Sequence, residues 1–166
     1  ASHDLMGSFL AWNKGGYNNA FRLNEENGLS PRSSVGLGGN ISWALYRYIE
    51  YREPKTKAGD EYTSGNGSIM RNAPIPICFY YDPKLACEKA KQQSLTTHQG
   101  LEAKECCSLL THIIVKIFKG EKLMDILDNL GKTFITDVAS VKYLANSKQE
   151  GNDKDRNWNW KFNRYF

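Results

Sequence analysis

Between Asp82 and Asn146 apolar residues recur at intervals of three and four, and glycine or proline stands at most of the breaks. That pattern commits this half of the chain to helices, because a helix turns once every ~3.6 residues whereas a strand alternates every second one. Asp82-Pro83 marks a start: a capping side chain followed by proline at the first helical position, where an N–H has no partner to lose. The helix it opens runs from Lys84 to about Thr96, with Leu85, Ala86, Ala90 and Leu95 set against Lys84, Glu88, Lys89 and Lys91. A second spans Leu101 to Lys119 and stops at Gly120, a residue suited to a left-handed C-cap. Cys106, Leu109, Ile113 and Ile117 give it one buried face. Glu121 to Leu130 forms a third, ending at Gly131, with Leu123, Ile126, Leu127 and Leu130 as its stripe. Val138 to Asn146 forms a fourth. No stretch of this half alternates with period two, so the fold class is all-α.

The N-terminal part is less regular. Leu5 to Trp12 forms a short helix, since Leu5, Phe9 and Trp12 share a face, and Gly15-Gly16 ends it. Residues 24–40 are rich in Gly, Ser, Asn and Pro and form a long loop, followed by a helix from Ile41 to Tyr51 capped by Asn40 or Ser42. Long irregular loops in compact domains are disproportionately functional, which makes Ser34 to Asn40 a secondary binding candidate beside its plainer reading as a connector. The tail from Asn152 holds Trp158, Trp160, Phe162, Tyr165 and Phe166 without helical period. It either packs back on the body or is covered by further sequence or a partner.

The stretch richest in chemistry is Tyr62 to Pro74, reading YTSGNGSIMRNAP. Glycines let a chain turn tightly and leave room for a ligand, so backbone N–H groups can approach an anion. A helix opening at Ser68 adds its positive end to the same place. The same residues also suit a simple loop and helix start. Twenty residues after Pro74 comes Ser94-Leu95-Thr96-Thr97-His98-Gln99-Gly100-Leu101-Glu102-Ala103. Glu102 lies one turn beyond His98, where it either fixes the histidine tautomer or forms an exposed surface pair.

The two segments, in this order, resemble the ADP-ribosylglycohydrolase family, metal-dependent enzymes that remove ADP-ribose from modified proteins. That family carries a Gly-Asn-Gly-small-x-Met-Arg-x-Ala-Pro motif, matched by Gly65 to Pro74, followed by a Ser/Thr-His segment matched by Ser94 to Ala103. Phe9, Trp12, Gly16 and Tyr17 are similar to its upstream aromatic-and-glycine stretch. The resemblance implies an orthogonal helical bundle, present here over residues 1–166 as a single partial domain, incomplete at both ends. It implies that Gly65, Asn66, Gly67, Ser68, Ile69, Met70 and Arg71 hold the diphosphate of ADP-ribose, through backbone N–H groups and the Ser68 hydroxyl. Arg71 either pairs with a phosphate oxygen or braces the loop through a buried carboxylate. His98 hydrogen-bonds the substrate near the diphosphate or ribose.

Family members also hold two magnesium ions between two acidic motifs, an Asp-Asp-Thr-like sequence upstream and an Asp-x-Asp-Thr/Ser sequence downstream. Neither occurs in this chain. Asp4 has no neighbouring carboxylate, and Asp153 and Asp155 lack the hydroxyl residue and glycine-rich helix that follow the family motif, so they read as a solvated turn. The chain thus resembles the middle of the family fold, with substrate contacts and no identified Mg2+ ligands. Two functions are compatible with that: part of a Mg2+-dependent hydrolase of ADP-ribosylated protein, or a non-catalytic scaffold in a larger assembly.

Composition agrees with an intracellular, cytoplasmic globular piece. A 166-residue chain is long enough for one core, and 40% hydrophobic with 24% charged residues is ordinary globular usage. The net charge of +4 is spread among acids and leaves no nucleic-acid footprint. No apolar run is long enough to span a membrane. Cys78, Cys87, Cys106 and Cys107 read as reduced, buried small hydrophobes rather than a zinc site or disulfide framework. His112, in an apolar run, reads as a packed core histidine.

Overall fold

The computed structural model describes residues 2–15, 37–54 and 63–150, with the side chains of 15 and 147–150 excepted. Gly16, Tyr17, most of the 24–40 loop, Asp153, Asp155 and the aromatic tail lie outside the described residues. Among the described residues there are nine helices and no strand, as the periodicity predicts. They are α1 (Ser2–Gly15), α2 (Gly39–Tyr51), α3 (Gly67–Met70), α4 (Pro74–Phe79), α5 (Pro83–Ser94), α6 (Leu101–Phe118), α7 (Leu123–Asp128), α8 (Leu130–Thr133) and α9 (Ala139–Glu150).

The predicted punctuation holds where its chemistry is strongest. Asp82 caps α5 by accepting from the Leu85 N–H at 3.0 Å, with Pro83 next in line. Gly120, at φ +85°, follows α6 in the left-handed conformation that glycine adopts most readily. Two expectations fail. Helix α2 starts at Gly39 with Gly38 as its cap, and neither Asn40 nor Ser42 caps it. The helix expected from Glu121 to Leu130 is two short helices broken at Asn129, and Gly131 lies inside the second rather than ending the first. A side chain at Gly131 would collide with the Asn146 side chain of α9. That glycine is a point of close approach between helices.

The described residues hold two apolar clusters. Leu109 of α6 meets Ile126, Leu130, Phe134, Val141 and Ala145 from α7 to α9. Met6 of α1 meets Ala44, Leu45 and Tyr48 of α2, and the Tyr48 hydroxyl donates to the His3 carbonyl at 3.3 Å. Burying each large side chain stabilises the fold by roughly 1.5–3 kcal/mol. His112 is half-buried at the edge of the first cluster, its ring against Phe134 and its Nε2 3.2 Å from the Thr133 hydroxyl, so it is less deeply packed than expected. The cysteines also depart from expectation. All four are free, but only Cys107 is buried, and Cys78 is exposed.

Helix α5 lies against α6, and its Ala86 and Ala90 are both fully buried. The face continues one turn on with Gln93 and Ser94, which are polar and also buried. This buried polar seam is where the sequence motif docks.

Candidate functional site

Arg71, Asn72, Gln93 and Thr111 form the frame of the site. Asn72 is fully buried. Its Nδ2 donates to the Cys107 carbonyl at 3.1 Å and the Thr111 hydroxyl at 2.8 Å, and its Oδ1 accepts from Gln93 Nε2 at 3.2 Å. Gln93 also donates to the Ser68 carbonyl at 3.1 Å. One amide pair therefore ties the 65–72 turn to both α5 and α6. Such an arrangement is stable only when every buried polar group finds a partner.

Arg71 sits at the C-cap of α3, with Nε donating to Gln93 Oε1 and an Nη to the Gln93 carbonyl, both at 2.9 Å. The same Nη reaches the Thr96 hydroxyl at 3.3 Å. The Phe9 ring of α1 covers the guanidinium at 5.0 Å. Of the two roles open to Arg71, these contacts are those of a brace, but through an amide, a carbonyl and a hydroxyl rather than a carboxylate. Burial lowers its pKa to about 10, which leaves it charged at neutral pH.

The Ser68 hydroxyl faces inward. It accepts from the Ser94 hydroxyl at 2.9 Å and from the Cys107 thiol at 3.4 Å, and Ser68 is 1% exposed. Ile69 is half-buried and Met70 is 72% exposed. Helix α3 is four residues long, so its dipole is that of a single turn. Its first N–H groups, on Gly67 and Ser68, have no intrahelical acceptor, and no group among the described residues accepts from them.

His98 meets this turn directly. A Cβ at Gly67 would lie 2.8 Å from His98 Cε1 and 2.9 Å from Nε2, and one at Gly65 would lie 3.6 Å from Nε2. Neither glycine has a positive φ, so neither is required by backbone conformation. The room they leave, expected for a ligand, is occupied in part by the imidazole. Asn40, at the start of α2, comes to the same place: its Nδ2 would be 3.2 Å from a Cβ at Gly65. The structure thus brings the end of the secondary candidate loop, the glycine turn and His98 together.

The His98 ring is 3% exposed. Burial, helped by the nearby Arg71 charge, lowers its pKa to about 4, so the ring is neutral at physiological pH. Its Nδ1 lies 2.8 Å from the Thr97 hydroxyl. Glu102 is not its partner; that carboxylate accepts from Ser140 of α9. Sequence reasoning also passed over Asn72 and Gln93. The available clue was Gln93 continuing the Ala86–Ala90 face at helical spacing.

Elsewhere, a cavity of about 280 Å³ is lined by Lys91, Glu105, Thr136 and Asp137 among others. Of the two motif segments only Leu101 lines it, and Glu105 there is paired to Lys91 at 2.8 Å. Among the described residues no three His, Cys, Asp or Glu side chains come together to hold a metal. No described helix is long and apolar enough to cross a membrane.

The described residues are all helical, and they set a glycine turn against a buried histidine. A family model for ADP-ribosylglycohydrolase matches residues 1–159, and the chain belongs to that family. No curated protein matches it.

Proposed function

We propose that this chain is part of an ADP-ribosylglycohydrolase-like protein that hydrolyses the glycosidic bond between ADP-ribose and a modified protein side chain, acting inside the cell. In this reading residues 1–166 are one partial domain that holds the diphosphate end of the substrate. Oxygens of the diphosphate take the N–H groups of Gly67 and Ser68 and a hydrogen from His98. Asn66, Ile69 and Met70 shape the rim, with Gly67 giving His98 its clearance and Gly65 leaving room beside Asn40. Arg71 contributes positive charge from behind the turn while its hydrogen bonds hold the turn in place. The observation that carries the reading is a buried, neutral imidazole whose Nε2 is set against a glycine turn with two N–H groups unengaged among the described residues.

Family members use two Mg2+ ions, which orient the ribose and activate water. The donors among the described residues do not fit such a centre, which needs several carboxylates at one point. No step is therefore assigned to these residues through a metal. That same observation favours a second reading, a non-catalytic module that keeps the family fold as a scaffold in a larger assembly.

Calorimetric titration with ADP-ribose separates the two. Binding by this chain that weakens at least about tenfold in His98→Ala, a loss of roughly 1.4 kcal/mol, supports the substrate-holding role. Absence of heat with folded protein, or an affinity unchanged in His98→Ala, rejects it in favour of the scaffold.

A further inference from the structure

A neutral imidazole carries one hydrogen, and which nitrogen bears it decides whether Nε2 offers a donor or an acceptor to the glycine turn. The surroundings of the other nitrogen make that choice. Thr97, adjacent in sequence and fully buried, has its hydroxyl 2.8 Å from Nδ1. Among the described residues this is the hydroxyl's sole hydrogen-bond partner. The neighbouring carbonyls are already engaged. The Gln93 carbonyl accepts from Thr96 and Arg71, and the Ser94 carbonyl accepts from the N–H groups of Thr97 and His98.

We propose that Thr97 is the positioning residue for His98: its hydroxyl donates to Nδ1, holding the ring in the Nε2–H form and directing that hydrogen at the bound ligand. The opposite tautomer would have Nδ1–H donate to Thr97. The hydroxyl hydrogen of Thr97 would then be buried without an acceptor, at a cost of about 1–3 kcal/mol. It would also turn an acceptor toward the Gly65–Ser68 turn, where an anionic oxygen needs donors. The Nε2 edge of the ring lies against Gly67, where a Cβ would come within 2.9 Å of Nε2, so a larger residue there would displace the imidazole. The identity of the ligand rests on the ADP-ribose reading; the tautomer does not.

The experiment is long-range 1H–15N correlation of the histidine rings in the ligand-free chain, paired with ADP-ribose titration. His98 is expected to show a protonated Nε2 and a bare Nδ1. Thr97→Val, which keeps shape and removes the hydroxyl, is expected to shift the ring toward Nδ1–H and to weaken ADP-ribose binding about tenfold. Thr97→Ser is expected to restore both. A protonated Nδ1 in the unaltered chain overturns the proposal without any variant having to fold, and so does an unchanged tautomer in Thr97→Val. If the tautomer responds as expected while the unaltered chain does not bind ADP-ribose, the positioning role stands and the ligand reading falls.

Discussion

Helix α6 faces two interiors of opposite chemistry. One side sends Leu109 into the apolar cluster of Ile126, Leu130, Phe134, Val141 and Ala145. The other sends Cys107, Ser108 and Thr111 toward α3 and α5, where Asn72, Gln93, Ser94 and Ser68 are equally buried. Hydrophobic burial is non-directional and tolerates rearrangement, whereas each buried hydrogen bond demands one geometry. The first interior makes the molecule stable. The second fixes where His98, Arg71 and the glycine turn stand relative to one another. Substitutions that keep volume and change polarity test this difference most directly.

The largest effect is expected at Asn72. Asn72→Leu is close in size but removes three hydrogen bonds and leaves the Thr111 hydroxyl and a Gln93 hydrogen without their partner. A loss of about 3 kcal/mol or more follows, read as the shift in urea midpoint. Detachment of the 65–72 turn should accompany it, seen as lost amide protection at Ser68 and Arg71. If Asn72→Leu unfolds at the same urea concentration as the unaltered chain, the polar seam is not what locks the site.

Thr111→Val comes next. It deletes one acceptor, at 2.8 Å from Asn72 Nδ2, and preserves shape, while the Cys107 carbonyl still serves the same amide group. A destabilisation of about 2 kcal/mol is expected from the one unsatisfied hydrogen. A double substitution with Asn72→Leu should cost less than the sum of the two, because both act on one bond. Strict additivity in that cycle would mean the two side chains do not cooperate.

These two interiors were unequally visible in the sequence. The apolar face of α6 and the stripe of α7 follow from spacing alone, and Asp82-Pro83 and Gly120 from local backbone chemistry. The break at Asn129 did not, because Gly131 looks like a helix stop when its reason is the approach of Asn146 from a distant helix. Buried polar residues mislead in the same way. Gln93 and Asn72 are residue types usually found in water, and only their partners on other helices reveal otherwise. The glycine pair was recognised as a place of close approach, but its neighbour is first of all His98. Sequence spacing reports which residues share a helix face. It does not report which face of another element comes to meet them.

The smallest effect belongs to the apolar side, and it is the control that gives the comparison its meaning. Ile126 is 1% exposed and central to its cluster. Ile126→Val removes one methylene, for which a loss of about 1 kcal/mol is expected. Its neighbours, half-buried Leu127 and Ile113 among them, can close part of the gap because no hydrogen-bond geometry opposes their movement. The change should lower the urea midpoint slightly while leaving the His98 ring resonances and the protection of the 65–72 amides where they were. A shift of those resonances in Ile126→Val would show that the two faces of α6 are mechanically coupled. The site would then depend on packing throughout the helix rather than on the polar seam alone.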